Sequence, residues 1–327
     1  MNDSTELRLR VARESDLPQI VSIYNSTIPS RVVTADLEPV TVESRRDWFR
    51  SHSAERHPLW VLESRQTREI AGWLSYSKFY GRPAYSGTAE ISVYVHENWR
   101  RRGCGRLLLE AAITYAPVLG LHTLLGFIFG HNDPSLELFS RHGFNRWALL
   151  PRVAQLDSDE RDLIILGLRI DPTETLPGIT RPFTTLRSAS AADLPSLREL
   201  LASAELPTED LTEKHLDHYI VVVSGQTIVA TVGLEVHGQY GLLRSLAVAP
   251  SYRGLGLSLR LISLIEAYAR KHNLKALYLL TITADQIFSR CSYKTIPRKL
   301  APQDIQDSAE FSSICPSNSV CMMKTLG

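Results

Sequence analysis

The sequence predicts an α/β protein: two tandem copies of one domain, each built on a mixed sheet of strands covered by helices. Three observations carry this. The chain has 327 residues, enough for two ordinary domains, and 44% of them are hydrophobic, enough to fill two cores. The chain repeats itself. "LRVARESDLPQI" (Leu9 to Ile20) matches "LRSASAADLPSL" (Leu186 to Leu197), and "VHENWRRRGCG" (Val95 to Gly105) matches "VAPSYRGLGLS" (Val248 to Ser258) in the same order. Finally, strand-like and helix-like runs alternate within each copy, with hairpin-like runs in the middle. The two matches are offset by 177 and 153 residues, so the second copy is 24 residues shorter ahead of its motif. The segment "DPTETLPGITRPF" carries three prolines and reads as a linker. The expected organisation is therefore a first domain over 1–170, a linker over 171–183 and a second domain over 184–327.

Each element of the first copy has its own signal. Leu7–Ala12 is a strand and Glu14–Ser26 a helix opened by Asp-Leu-Pro; Val42–Ser51 is a second helix. Trp60–Glu63, Ile70–Ser77 and Thr88–Val95 are rich in β-branched and aromatic residues and read as strands. Gly105–Ala116 places Leu107, Leu108, Ala111, Ala112 and Tyr115 at helical spacing. "LLGFIF" is a further strand. "DPSLELFSRHGF" is a helix with Pro134 early and Gly143 ending it. "RDLIILGLRI" is the last strand.

Composition narrows the function. The net charge is +1 and mean hydropathy is near zero, which excludes the basic field of a nucleic-acid-binding protein. No apolar run is long enough to span a membrane. The polar start "MNDSTELRLR" is not a secretion signal. Cys104, Cys291, Cys315 and Cys321 are too far apart for a CxxC site, and no His/Cys/Asp cluster has zinc spacing, so no metal is expected. A cytoplasmic protein with reduced thiols is the expectation.

The chemistry concentrates at Arg100-x-x-Gly103-x-Gly105, between the strand ending at Val95 and a helix. A helix N-terminus presents unpaired N–H groups and partial positive charge, so it attracts phosphate. Glycine at Gly103 and Gly105 lets backbone approach an anion in torsions closed to other residues. Arg100, Arg101, Arg102 and Arg106 add formal charge, with Cys104 inside the turn. The second copy repeats the pattern as Arg253-x-x-Gly256-x-Ser258, with Gly254 inside it. In the strand before the first motif, Glu90, Ser92 and Tyr94 share one face and Ile91, Val93 and Val95 the other. By sequence alone a lone strand carboxylate is more often an ion-pair partner or edge residue than a proton acceptor.

These residues resemble the GCN5-related N-acetyltransferases, whose Q/R-x-x-G-x-G/A signature holds the pyrophosphate of acetyl-CoA. The resemblance covers nearly the whole chain as two domains. "IVSIYN", "RPAYSGTAEISVYV", "GFIFGHNDPSLELFSRHGF" and "LPRVAQLDSDERDLIILG" make the first copy similar to phosphinothricin and arsinothricin N-acetyltransferases. It implies acetyl-CoA as co-substrate and the α-amino group of a glutamate analogue, or of methionine sulfoximine or another amino acid, as acceptor. It further implies Glu90 as general base, because an amine attacks only when neutral and an α-amino group is mostly protonated near pH 7. The backbone of Val93, Tyr94 and Val95 is then expected to bind the pantetheine and polarise the thioester. Asn132 is expected on the coenzyme arm or as a helix cap, with Ser135 beside it. Arg82 and Tyr85 match the family's substrate loop, a guanidinium suiting an acidic acceptor. Tyr80 and Phe139 depart from the family pattern, and Phe139 cannot protonate the departing thiolate. Relatives are often dimers, so a homodimer or a pairing of the two copies is expected.

The second copy resembles acetyltransferase-like proteins of arsenic-resistance operons through "GLLRSLAVAPSYRGLGLS", "LYLLTITADQIF" and "AEFSSICPSNSVCMMK". Aligning Val248 with Val95 puts Leu243 opposite Glu90, which removes the base; Glu235 and Tyr240 lie near enough in sequence to replace it. Cys315 and Cys321 fit either buried small hydrophobes or ligands for a thiophilic ion.

Overall fold

The computed structural model describes residues 6–316 and 318–327. The chain divides into two units, one centred on residues 6–185 and the other on 186–327. The first contains β1 (Leu7–Val11), α1 (Leu17–Asn25), α2 (Arg46–Arg50), β2 (Leu59–Ser64), β3 (Ile70–Lys78), β4 (Thr88–Val95), α3 (Cys104–Leu119), β5 (Thr123–Phe129), α4 (Asp133–Ser140), β6 (Asn145–Leu156) and β7 (Asp159–Arg169). Its strands form one seven-stranded sheet in the order β1-β2-β3-β4-β5-β7-β6, antiparallel except where β4 meets β5.

The Asp-Leu-Pro motif joins strand to helix through an ion pair. Arg10 on β1 donates to Asp16 at 2.6 Å and to Glu63 on β2 at 2.8 Å, with all three side chains buried. Asp16 also accepts the Arg13 N–H at 2.6 Å. The second unit repeats the device: Arg187 donates to Asp193 at 2.6 Å, and Asp193 accepts the Ser190 N–H at 2.8 Å. The internal repeat therefore records an Arg–Asp pair, buried in the first unit and with an exposed arginine in the second, that fixes how each domain's first helix leaves its first strand.

Two layers cover the first sheet. On one face α1 buries Ile20 and Ile23 against Leu59, Val61, Ile70 and Trp73, with Trp48 of α2 packed beside them. On the other lies α3, where the Tyr76 hydroxyl donates to the Ala112 carbonyl at 2.8 Å and Trp60 meets Tyr76 and Tyr115 edge-on. The α3 helix is longer than its spacing predicts: it passes through Pro117 and stops at Gly120, whose φ of +76° is open to glycine. The expected helix over Val42–Ser51 is instead a short 3-10 turn, Glu43–Arg45, leading into α2. The stretch 171–183 has no regular structure but is tied to α3: the buried Glu110 carboxylate accepts the Thr180 N–H at 2.7 Å, its hydroxyl at 2.6 Å and the Arg181 N–H at 3.0 Å.

The second unit contains β8 (Thr184–Ser188), α5 (Leu194–Ser203), β9 (Tyr219–Ser224), β10 (Thr227–His237), β11 (Tyr240–Val248), α6 (Leu257–Lys271), β12 (Ala276–Thr281), α7 (Asp285–Arg290), β13 (Lys294–Thr295), α8 (Gln303–Gln306) and β14 (Val320–Thr325). Its sheet order, β8-β9-β10-β11-β12-β14-β13, repeats the first, again with one parallel pair, β11 with β12. Two mixed seven-stranded sheets are what the α/β expectation requires.

Candidate active site

The site begins where two strands part. In the first unit β4 pairs with β5 only at Thr88, Ala89 and Glu90, although both strands run on. Beyond Glu90 the β5-facing edge of β4, including Val93, Tyr94 and Val95, carries no ladder partner. Free backbone donors and acceptors at an opened sheet edge accept an extended polar chain as a strand would. β11 and β12 separate in the same way after Leu242 and Tyr278.

The opened cleft leads to the arginine–glycine turn. Gly103 is the N-cap of α3 with φ +83° and ψ 1°, and a Cβ there would meet nothing within 4 Å, so torsion rather than space requires glycine. Gly105 is different from expectation. It lies inside the helix with ordinary torsions, and a Cβ would stand 3.2 Å from Leu138 of α4, so its smallness permits close helix packing. The first α3 hydrogen bond runs from the Leu107 N–H to Gly103, leaving the N–H groups of Gly105 and Arg106 without a helical acceptor. Arg100, Arg101, Arg102 and Arg106 are exposed, and the Arg102 guanidinium lies 5.3 Å from the Trp99 ring. Cys104 is buried. Free donors, a left-handed glycine and four arginines fit a diphosphate. Asn132 caps α4, its side chain accepting the Ser135 N–H at 3.3 Å, so the capping role is present.

Along the face of β4 that carries Glu90, Ser92 and Tyr94, a cavity of about 180 Å³ opens between the sheet and α1 and α2. Its floor is made of cross-strand neighbours: Ser77 faces Glu90, Ser75 faces Ser92, and Trp73 faces Tyr94. The shared face of Glu90, Ser92 and Tyr94 is thus as the strand alternation predicts. Glu90 makes no hydrogen bond or ion pair among the described residues, and burial pushes its carboxyl above the usual glutamate value. Trp73 stacks on Tyr94 at 4.3 Å, and Trp48 meets Trp73 edge-on. The tyrosine hydroxyl of Tyr24 donates to Asp36 at 2.6 Å, and Arg45 donates to the same oxygen at 2.7 Å. Arg45, Tyr24 and Trp48 also line the cavity. Sequence reasoning missed these three. They come from α1, α2 and the turn that leads into α2, and no local spacing connects them with Glu90.

Arg82 and Tyr85 are not among the cavity's lining residues. Both are exposed on the loop between β3 and β4, where Arg82 caps the short turn Pro83–Tyr85 and Tyr85 packs on Phe79 and Tyr80. Phe139 is buried against Phe144 and Gly126, far from any proton-donor role.

The second unit keeps the cleft but not the base. Ladder positions counted from Val248 match Glu90 to Leu242, not to Leu243, because the β10–β11 register slips between Thr231 and Gly233, where Ser245 takes φ +55°. Leu242 is fully buried. Glu235 does not replace the base. Burial alone would raise its pKa, but hydrogen bonds from His237 and Arg244 outweigh this and hold it at about 2. Arg244, with only 1% of its side chain exposed, also pairs with Asp210 at 2.5 Å and Glu310 at 3.3 Å. Phe311, Ile305 and Ala301 from the C-terminal segment pack on Leu242 and Tyr278 over the same region. Arg253 turns back to donate to the Val248 carbonyl at 2.9 Å, and Gly254 and Gly256 keep positive φ values of +87° and +89°; Ser258 lies within α6. Burial first, then Glu310, pushes the Cys315 thiol up to about 12, and burial pushes Cys321 to about 11, so neither favours the thiolate that a soft ion requires.

Comparison with known proteins bears on both units. The model of the acetyltransferase (GNAT) family matches residues 18–144 and again 185–294. A Bacillus subtilis protein, provisionally named a phosphinothricin acetyltransferase, is 52% identical over 161 residues, 49% of this chain and 98% of that protein. An L-methionine sulfoximine/L-methionine sulfone acetyltransferase of Pseudomonas paraeruginosa is 33% identical over 169 residues, 52% of this chain and 98% of that protein. A crystal structure of a provisionally named phosphinothricin N-acetyltransferase, 51% identical, covers 50% of this chain and 99% of its own with a TM-score of 0.49. For the second copy the comparison shows the family as a whole. With one match on each seven-stranded sheet, the chain belongs to the acetyltransferase (GNAT) family in both of its units.

Proposed function

We propose that the first unit transfers an acetyl group from acetyl-CoA to the α-amino group of a small amino acid. The acceptor class is the glutamate-analogue antimetabolites, phosphinothricin and arsinothricin among them, and acetylation would confer resistance by removing the charge through which a target enzyme reads the amine. The observation that carries the reading is Glu90: a partly buried carboxylate without a partner, in a small cavity, at the point where β4 and β5 part. The names of the Bacillus and Pseudomonas relatives support an amino-acid acceptor.

Acetyl-CoA, when bound, supplies the thioester whose C–S bond breaks as the amide C–N bond forms. Glu90 takes the proton that the acceptor's ammonium must lose before its nitrogen can attack, and its raised pKa makes it a stronger base than an exposed glutamate. The unpaired edge of β4 over Val93–Val95 holds the extended arm and offers N–H donors to a carbonyl oxygen gaining charge. The N–H groups of Gly105 and Arg106 at the first turn of α3, with the surrounding arginines, hold the diphosphate. Trp48, Trp73 and Tyr94 keep water from the amine. Position 139 offers no acid, so the thiolate leaves without a side-chain donor there.

A second acceptor, methionine sulfoximine, is favoured by one observation: Arg82 lies off the cavity lining, which leaves Arg45 as its guanidinium. Acetyl-CoA with a panel of phosphinothricin, arsinothricin, methionine sulfoximine and glutamate, followed by free-thiol release, tests both. Turnover of an acidic analogue at the highest kcat/KM supports the first reading; a preference for the sulfoximine supports the second; no turnover of any amino acid overturns both. The second unit, with Leu242 at the base position and its acceptor face filled, is proposed to lack this activity.

A further inference from the structure

The proposed function leaves open how the cavity recognises an amino acid rather than any amine. An α-amino acid carries its ammonium and its carboxylate on one carbon. The cavity lining contains one carboxylate, Glu90, and one guanidinium, Arg45. Arg45 is held rather than loose: its Nη2 donates to Asp36 at 2.7 Å, its guanidinium carbon lies 4.9 Å from the Tyr24 ring and 6.0 Å from the Trp48 ring, and Tyr24 itself donates to Asp36. That tether uses a single nitrogen. Among the described residues Nε and Nη1 of Arg45 have no hydrogen-bond acceptor, so donors on a fixed fork remain for a second carboxylate.

We propose that Arg45 receives the α-carboxylate of the acceptor, and that Asp36 and Tyr24 are positioning residues that aim it. The zwitterion is then bound by matched charges, ammonium toward Glu90 and carboxylate toward Arg45, and selectivity for amino acids is built into the cavity regardless of side chain. The inference rests on the proposed function and deepens it.

The experiment compares kcat/KM for the best acceptor with that for its α-carboxamide, in the full chain and in Arg45→Gln and Arg45→Lys. The amide's amine is less basic and so more often neutral at pH 7; chemistry alone favours the amide. The unaltered enzyme should nevertheless prefer the acid by about 10- to 100-fold, the worth of charged hydrogen bonds to one group. Arg45→Gln should bring the ratio down to one or below, and Arg45→Lys, which keeps charge but loses the fork, to an intermediate value, with KM for acetyl-CoA unchanged in both. Equal use of acid and amide by the unaltered enzyme overturns the proposal without any variant, which covers the case of a variant that does not fold. A ratio unchanged in Arg45→Gln, with both acceptors slowed alike, overturns it in favour of a purely structural Arg45. If the unaltered protein acetylates no amino acid, the proposed function fails by itself; equilibrium binding of the acid and the amide to the unaltered chain and to Arg45→Gln then decides the Arg45 claim by the same ratio.

Discussion

Replacing Glu90 by glutamine removes the base and changes little else. The carboxylate has no ion pair or hydrogen bond among the described residues, so the substitution strands no buried charge and should leave stability within about 1 kcal/mol, or raise it, since a half-buried unpaired carboxylate is costly. The loss must therefore appear in catalysis. At pH 7 the α-amine of a free amino acid, made more basic than a peptide N-terminus by its neighbouring carboxylate, is almost wholly protonated, so an enzyme that waits for neutral acceptor gives up more than about tenfold, and losing a positioned base costs about 10²- to 10⁴-fold in all. The assay is free-thiol release at saturating acetyl-CoA over pH 5.5 to 9. The unaltered enzyme's kcat/KM should fall on the acid side as Glu90 protonates, at a pH above the ordinary glutamate range because burial raises its pKa. In Glu90→Gln that limb should vanish and the residual rate should follow the amine's own ionisation. A variant within threefold of the parent with an unchanged profile would refute the reasoning.

Other substitutions probe the parts around this base. Gly103→Ala imposes a side chain at φ +83°, a strain of roughly 1–2 kcal/mol, and should raise KM for acetyl-CoA about 5- to 30-fold with kcat little changed, as initial rates will show. Glu110→Ala releases Thr180 and Arg181, and the first unit should lose about 1–3 kcal/mol, read by tryptophan fluorescence because all five tryptophans lie there. In the second unit burial lifts Glu310 to about 7, so the folded state holds a proton that the unfolded chain releases near 4.5. Its contribution is complete below the unfolded value and is lost as pH rises to about 7, roughly 3 kcal/mol in all, while Glu235, held at about 2, loses its own as pH falls below the ordinary range. Second-unit stability should thus peak near pH 5, and Glu310→Gln should flatten the fall from pH 5 to 7.5 in the amide-exchange protection of β14.

What the sequence disclosed and what it hid follow from the range of the interactions concerned. The phosphate turn, Glu90 and the face it shares with Ser92 and Tyr94 are local facts of one strand and one helix start, and repetition made the turn visible twice. The cavity walls are not local: Arg45 and Tyr24 meet Glu90 only because α1 and the α2 segment fold over the same sheet face. β6 escaped notice because it is an edge strand, exposed along most of its length and broken in pattern by Pro151, so no alternation marks a buried face. Gly105 was legible as a requirement but not in its cause, since the contact with Leu138 belongs to helix packing. The one-residue slip that substitutes Leu242 for Leu243 arises from a bulge at Ser245, and a gapless alignment cannot register an extra residue in a strand. The buried cluster around Arg244 joins residues from 210 to 310, beyond any spacing argument.

The account depends most on Glu90 being a carboxylate deprived of both water and partners in the free protein. Titrating its carboxyl carbon by NMR in ¹³C-labelled protein, with Glu90→Gln to assign the signal, measures that property without any substrate. A midpoint above the ordinary glutamate value of about 4.3 is the predicted result. A midpoint at or below that value would mean a solvated or ion-paired group, and would contradict the account.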